Sequence, residues 1–218
     1  MPNLPPVTRA LLIANVSFFL MQQFDGNYLI AHYALWPLGP SHWEHLNNGV
    51  GVDVGFSLWQ LVTYSFLHGG DLWRGEIAHI AFNMFALWMF GSPVENALGA
   101  RRYSIYYVVC VVGAAVAQLL VIHFFKPEDF YATLGASGGV FGLLLAFALI
   151  YPGARIALLI FPVPIPAMIA VIGYMAVELV LGITGTQEGV AHFAHLGGAA
   201  AGYVLLRLWR AQAMNRRD

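Results

Sequence analysis

The sequence predicts an all-α polytopic membrane protein: a bundle of six transmembrane helices with an interfacial first loop. Three observations carry that expectation. Of the 218 residues, 59% are hydrophobic and only 10% charged, against about 25% charged in an ordinary soluble domain. Mean hydropathy is +0.68. Apolar runs of membrane-spanning length recur along the whole chain. The net charge of −1 offers no footprint for nucleic acid. The single cysteine, Cys110, lies in an apolar run, so it forms no internal disulfide and reads as a core residue.

The expected spans are about 7–24, 77–98, 103–125, 137–151, 167–184 and 189–208, together one membrane domain over 1–218 with no separate soluble domain. Residues 7–24 resemble a secretory signal, but Met21-Gln22-Gln23 follows where a small-residue cleavage site would be, so a retained first span is expected. The connection 25–76 carries Trp36, Trp43, Trp59 and Tyr64, which suit headgroup level. In Phe161–Ala167 proline recurs at every second position, which forbids a regular helix and implies an extended connection. Asn15 and Gln118 read as interhelical hydrogen-bonding groups.

Lys/Arg bias sets the orientation. Arg9, Arg101, Arg102, Arg155, Arg207, Arg210, Arg216 and Arg217 flank one set of ends, and only Arg74 and Lys126 the other. Both termini are therefore expected in the cytoplasm, as in a bacterial inner membrane, with the first loop outside. Counting inward at about 1.5 Å per residue, the short fourth span begins with Ser137 about 10 Å below the outer face. His195 lies at a similar depth, and His79 and Asn83 of the second span share that outer third. Intramembrane polar residues are functional suspects by default. Gly138 and Gly142, like Gly198 and Gly202, stand four apart, a spacing that lets helices approach closely enough for a serine and a histidine to share a proton.

A serine hydroxyl needs a base to become a nucleophile, and His195 is the candidate. Phe141, four residues after Ser137 on one helix face, can pack against the imidazole. His79, Asn83 and the N–H of Ser137 are the candidate oxyanion donors. No acidic residue is evident as a third member, since Glu178 lies deep in the fifth span and Asp129 in the outer loop, so a dyad is expected, with Glu178 bonding a neighbouring helix. A metal held by His192 and His195 with His79 or His68 is not expected, because no carboxylate joins them and H-E-x-x-H is absent. His192 reads as a packing residue; His32, His42, His45 and His68 are assigned to the wet outer loop and His123 to the interface. A base must be neutral, so activity should fall on acidification.

These residues resemble the rhomboid intramembrane serine proteases over about residues 7–210. Gly135-Ala136-Ser137-Gly138 is similar to the family's G-x-S-G motif, and Ala194-His195-Leu196-Gly197-Gly198 with Gly202 to its A-H-x-x-G-x-x-x-G motif. His79-x-x-x-Asn83 is similar to its H-x-x-x-N motif, and Glu95 and Gly99 in "GSPVENALG" match structural positions. The resemblance implies a rhomboid-like bundle in which a Ser-His dyad cuts single-span membrane proteins in or near their transmembrane segment. It implies no cofactor, with lipid and a substrate helix as partners. Trp59-Gln60 stands where the family often has Trp-Arg, and Phe141 where tyrosine is common. A transporter is disfavoured by the lack of an inverted repeat. A catalytically silent rhomboid-like protein that binds transmembrane helices is the closer rival, yet this chain keeps both the serine and the histidine.

Overall fold

A computed structural model describes residues 4–45, 51–157, 163–185 and 191–215. The expected entry of the last span at Gly189, Phe161 and Pro162 of the proline segment, and Arg216 and Arg217 lie outside these residues. The helical elements are α1 (Pro6–Tyr33), α2 (Gln60–Thr63, continued by a 3-10 turn Tyr64–Phe66), α3 (Ala78–Ala86), α4 (Ser92–Leu98), α5 (Ala100–Phe125), α6 (Ser137–Ile150), α7 (Ala167–Thr184) and α8 (His192–Met214). Among the described residues, α1, α5 and α7 are long and apolar enough to cross a membrane. The chain is an integral membrane protein.

Helix α1 outruns the expected end at 24. Asp25 leaves helical geometry (φ −143°, ψ 60°), and its Oδ1 accepts the Tyr28 N–H at 3.3 Å, capping a second segment to Tyr33. The first turn of α1 has no side-chain cap of its own. Buried Glu95 of α4 supplies one: Oε1 accepts the Val7 N–H at 2.9 Å, and Oε2 accepts the Thr8 N–H and hydroxyl, both at 2.7 Å. A carboxylate there also meets the positive end of the helix dipole. Between α3 and α4 a π turn, Leu87–Gly91, takes up the misfit before Pro93, which has no N–H to donate.

The fold is not purely helical. Strands β1 (His42–His45) and β2 (Gly51–Val54) pair antiparallel in the first loop, and β3 (Arg155–Ile156) pairs with β4 (Ile165–Pro166). The proline segment is thus extended where described, because its prolines leave no helical alternative. The first loop is more deeply seated than its aromatics suggested. Trp43 and Trp59 are exposed, but Trp36 and Tyr64 are buried, and the Tyr64 hydroxyl donates to the Val111 carbonyl at 2.9 Å. Gln60, where the family often has arginine, is buried: Oε1 accepts the N–H groups of Trp36 and Ser57, and Nε2 donates to Gly55 O at 3.1 Å.

Two expected interhelical ties are different. Asn15 donates to Leu11 O of its own helix at 2.8 Å. Gln118 donates to the Tyr131 hydroxyl, in the connection before α6, at 3.0 Å. Helix α6 runs only 14 residues, about 21 Å, and forms the buried centre against α5 and α8. A Cβ built on Gly198 of α8 would overlap the Gly138 carbonyl oxygen of α6, with the carbonyl carbon at 2.8 Å. Gly142 faces buried Cys110, and Gly202 faces Cys110 and Tyr106. The two helices therefore meet backbone to backbone.

Candidate active site

Ser137 opens α6, so its N–H has no acceptor within the helix. Gly135 before it adopts φ +127°, and a Cβ there would stand 2.9 Å from His79 Nε2; only glycine fits that turn. The Ser137 hydroxyl is half-buried and lies 2.8 Å from His195 Nε2 on α8. Phe141, one turn along α6, stacks on the imidazole with centroids 4.3 Å apart and planes 5° from parallel. Tyr174 of α7 packs against Phe141 with centroids 4.9 Å apart.

An acidic residue does face His195, where the sequence showed none placed to do so. Glu178 of α7, 4% exposed, places Oε2 2.9 Å from His195 Nδ1 and 2.6 Å from His192 Nδ1. Depth counting held the signal. Glu178 is about six residues from the C-terminal end of α7, roughly 9 Å, and on the expected orientation that is the depth counted for His195. The geometry is that of a serine, an imidazole and a carboxylate in a line, each within hydrogen-bonding distance of the next.

His79 sits beside this line. Its Nδ1 accepts the Gly69 N–H at 3.1 Å, which puts the ring proton on Nε2, the nitrogen facing Gly135 next to Ser137. Asn83 is buried and donates to His79 O at 3.0 Å, which uses one of its two amide protons. His68 is not in a wet loop. It is 1% exposed, lies edge-on to His79 with centroids 5.1 Å apart, and accepts the Ala136 N–H on Nε2 at 3.5 Å. Burial, with His79 adding, pushes the His68 imidazole down to about 3. His32, His42 and His123 are exposed.

The carboxylate missing from the metal argument is present: ligand atoms of Glu178, His192 and His195 lie within 4.8 Å of one another. Around a tetrahedral ion with bonds of about 2.0–2.1 Å such atoms stand roughly 3.3 Å apart. Separations of 2.6 and 2.9 Å instead suit shared protons, so hydrogen bonding accounts for the cluster.

A buried helix bundle with a serine-imidazole pair between two helices, below an irregular glycine turn, defines a class of integral membrane protein with hydrolase-like side chains inside the bundle. The Rhomboid domain model matches residues 55–212. The chain belongs to the rhomboid family. It is 29% identical over 214 residues to Rhomboid protein 1, mitochondrial, of Saccharomyces cerevisiae, covering 88% of this chain and 61% of that protein. It is 28% identical to Rhomboid protease GlpG of Photorhabdus laumondii (64% of this chain, 40% of that protein) and 31% identical to Rhomboid protease GluP of Bacillus subtilis (73% and 28%). The chain spans less than two thirds of the length of each.

Proposed function

We propose that this protein is an intramembrane serine endopeptidase that cuts single-span membrane proteins in or near their transmembrane segment. The observation that carries the reading is the 2.8 Å contact between Ser137 Oγ and His195 Nε2 across two helices, and relatives named as proteases support it. In the reaction Ser137 Oγ attacks the scissile carbonyl carbon while its proton passes to His195 Nε2. The carbonyl oxygen, now an anion, is met by His79 Nε2–H, the Asn83 amide and the Ser137 N–H. His195 returns the proton to the leaving nitrogen as the C–N bond breaks, leaving an acyl-Ser137 ester. Water then attacks the ester, giving its proton to His195, and Ser137 recovers it as the acid departs. Phe141 holds the imidazole plane throughout, and no cofactor enters the reaction.

The architecture that goes with this reading has six spans, α1, α3–α4, α5, α6, α7 and α8, as one membrane domain. The termini face the cytoplasm, or the equivalent side of a mitochondrial membrane, and the site opens to the opposite face. Short α6 sinks Ser137 below that face, and close approach at Gly138, Gly142, Gly198 and Gly202 brings His195 to it. Cleavage of a single-span substrate by purified protein in detergent tests the reading. Wild type should cut and Ser137→Ala and His195→Ala should not; equal cutting by Ser137→Ala would refute it.

A further inference from the structure

We infer that Glu178 is a positioning residue of this site: its carboxylate holds His195 in the Nδ1–H tautomer, leaving the Nε2 lone pair for Ser137, and His192 holds the carboxylate in place. The inference rests on the protease reading and adds a charged group to it. Oε2 lies within hydrogen-bonding distance of two Nδ1 atoms, at 2.6 and 2.9 Å. A proton on Oε2 could serve only one of them, so at least one imidazole must donate. An ionised carboxylate that accepts from both leaves neither Nδ1 without a partner. With Nδ1–H of His195 so used, Nε2 is bare and can accept the Ser137 hydroxyl proton at 2.8 Å.

His192 Nε2 is buried without a hydrogen-bond partner, so among the described residues the polar contact of His192 is the carboxylate. Its ring meets His195 edge-on, with centroids 6.4 Å apart and planes at 87°. Helix α7 thus grips the base twice, through Glu178 at Nδ1 and through Tyr174 on Phe141. The charge also counts. When His195 takes the serine proton, an imidazolium forms inside a bundle, and a carboxylate 2.9 Å away is the group that favours it. The titratable groups around His195 are Glu178 and Tyr174 on α7, His192 on its own helix, and His79 on α3 with His68 behind it.

The test is Glu178→Gln with Glu178→Asp, measured as full pH profiles of kcat and KM beside wild type and Ser137→Ala. Glutamine keeps the shape, removes the charge and offers an N–H to Nδ1, which permits the wrong tautomer. We expect kcat to fall by about 10²-fold or more with KM within about twofold. The acid limb of kcat/KM should move to lower pH, since a removed anion no longer favours the protonated ring. Aspartate should recover part of the rate and return the limb. Wild-type kcat in Glu178→Gln with an unmoved limb, alongside an inactive Ser137→Ala, overturns the role of Glu178 and leaves the protease standing. An active Ser137→Ala overturns both. Should Glu178→Gln lose its folded, monodisperse form, the wild-type protein decides: 15N-histidine spectra, assigned against His195→Gln, should report an Nδ1-protonated His195, and an Nε2-protonated ring overturns the inference.

Discussion

Gly198→Ala should uncouple the site while leaving every catalytic side chain chemically intact. The added Cβ would overlap the Gly138 carbonyl oxygen and lie 2.8 Å from its carbonyl carbon, with Cys110 O at 3.2 Å on another side. Restoring ordinary separations of about 3.5 Å or more requires α6 and α8 to part by roughly 1 Å, because the obstacles are backbone atoms and cannot turn aside. Gly138 adjoins Ser137, and Gly198 is one helical turn from His195. The 2.8 Å contact between Ser137 Oγ and His195 Nε2 would then open to about 3.8 Å, beyond hydrogen-bonding range. A misplacement of that size can cost about 10²-fold in rate, and the overpacking about 1–3 kcal/mol in stability. The assay pairs kcat/KM on a single-span substrate with thermal unfolding in detergent. Gly173→Ala is the control: its Cβ meets nothing within 4 Å on α7, so it should be neutral or stabilising by up to about 1 kcal/mol. Near-normal activity in Gly198→Ala would refute the argument that backbone contact sets the serine-imidazole distance.

Glu95→Gln should destabilise the fold by about 2–4 kcal/mol with little change in the Ser137 geometry, because three hydrogen bonds to Val7 and Thr8 lose a charged acceptor; unchanged thermal unfolding would contradict the cap. His79→Ala should lower kcat by about 10²-fold with KM nearly unchanged, the pattern of a donor used only in the transition state. A rise in KM alone would instead make His79 a substrate-binding group. His68 supplies a pH prediction for stability. Its folded value of about 3 lies below the unfolded imidazole value of 6.5, so between those limits the unfolded chain binds the extra proton. Stability from this group is complete above pH 6.5 and is lost on acidification towards pH 3, by at most about 1.4 kcal/mol per unit. Unfolding temperature in detergent should fall as pH drops from 6.5 to 5, less steeply in His68→Gln, and an identical slope in that variant would count against the assignment.

Most of this arrangement was legible in the sequence, and the exceptions have physical causes. Apolar runs located the helices because lipid-facing and core-facing residues are both apolar, and among the described residues α1, α5 and α7 are long and apolar enough to cross a membrane. Ser137, His195, Phe141, His79 and Asn83 could be brought to one level by counting residues from helix ends. Glu178 yields to the same arithmetic, but its partners depend on which face of α7 meets α8, and a nearly uniform apolar helix has no periodicity to reveal that. His68, Trp36 and Tyr64 went astray for the opposite reason. The sequence places His68 in a wet loop and Trp36 and Tyr64 at headgroup level, whereas the loop folds back on the bundle through Tyr64 and His68. The end of α1 was placed at the Asp25 kink because the polar residues there mark a break in direction, not the end of helix.

The central claim is that Ser137 is a nucleophile made reactive by His195. A fluorophosphonate probe on purified protein, with the adduct located by mass spectrometry, tests this without knowledge of any substrate. The account predicts a single adduct on Ser137, abolished in Ser137→Ala and reduced to background in His195→Ala. An adduct on another serine, or equal labelling of Ser137 when His195 is removed, would contradict it.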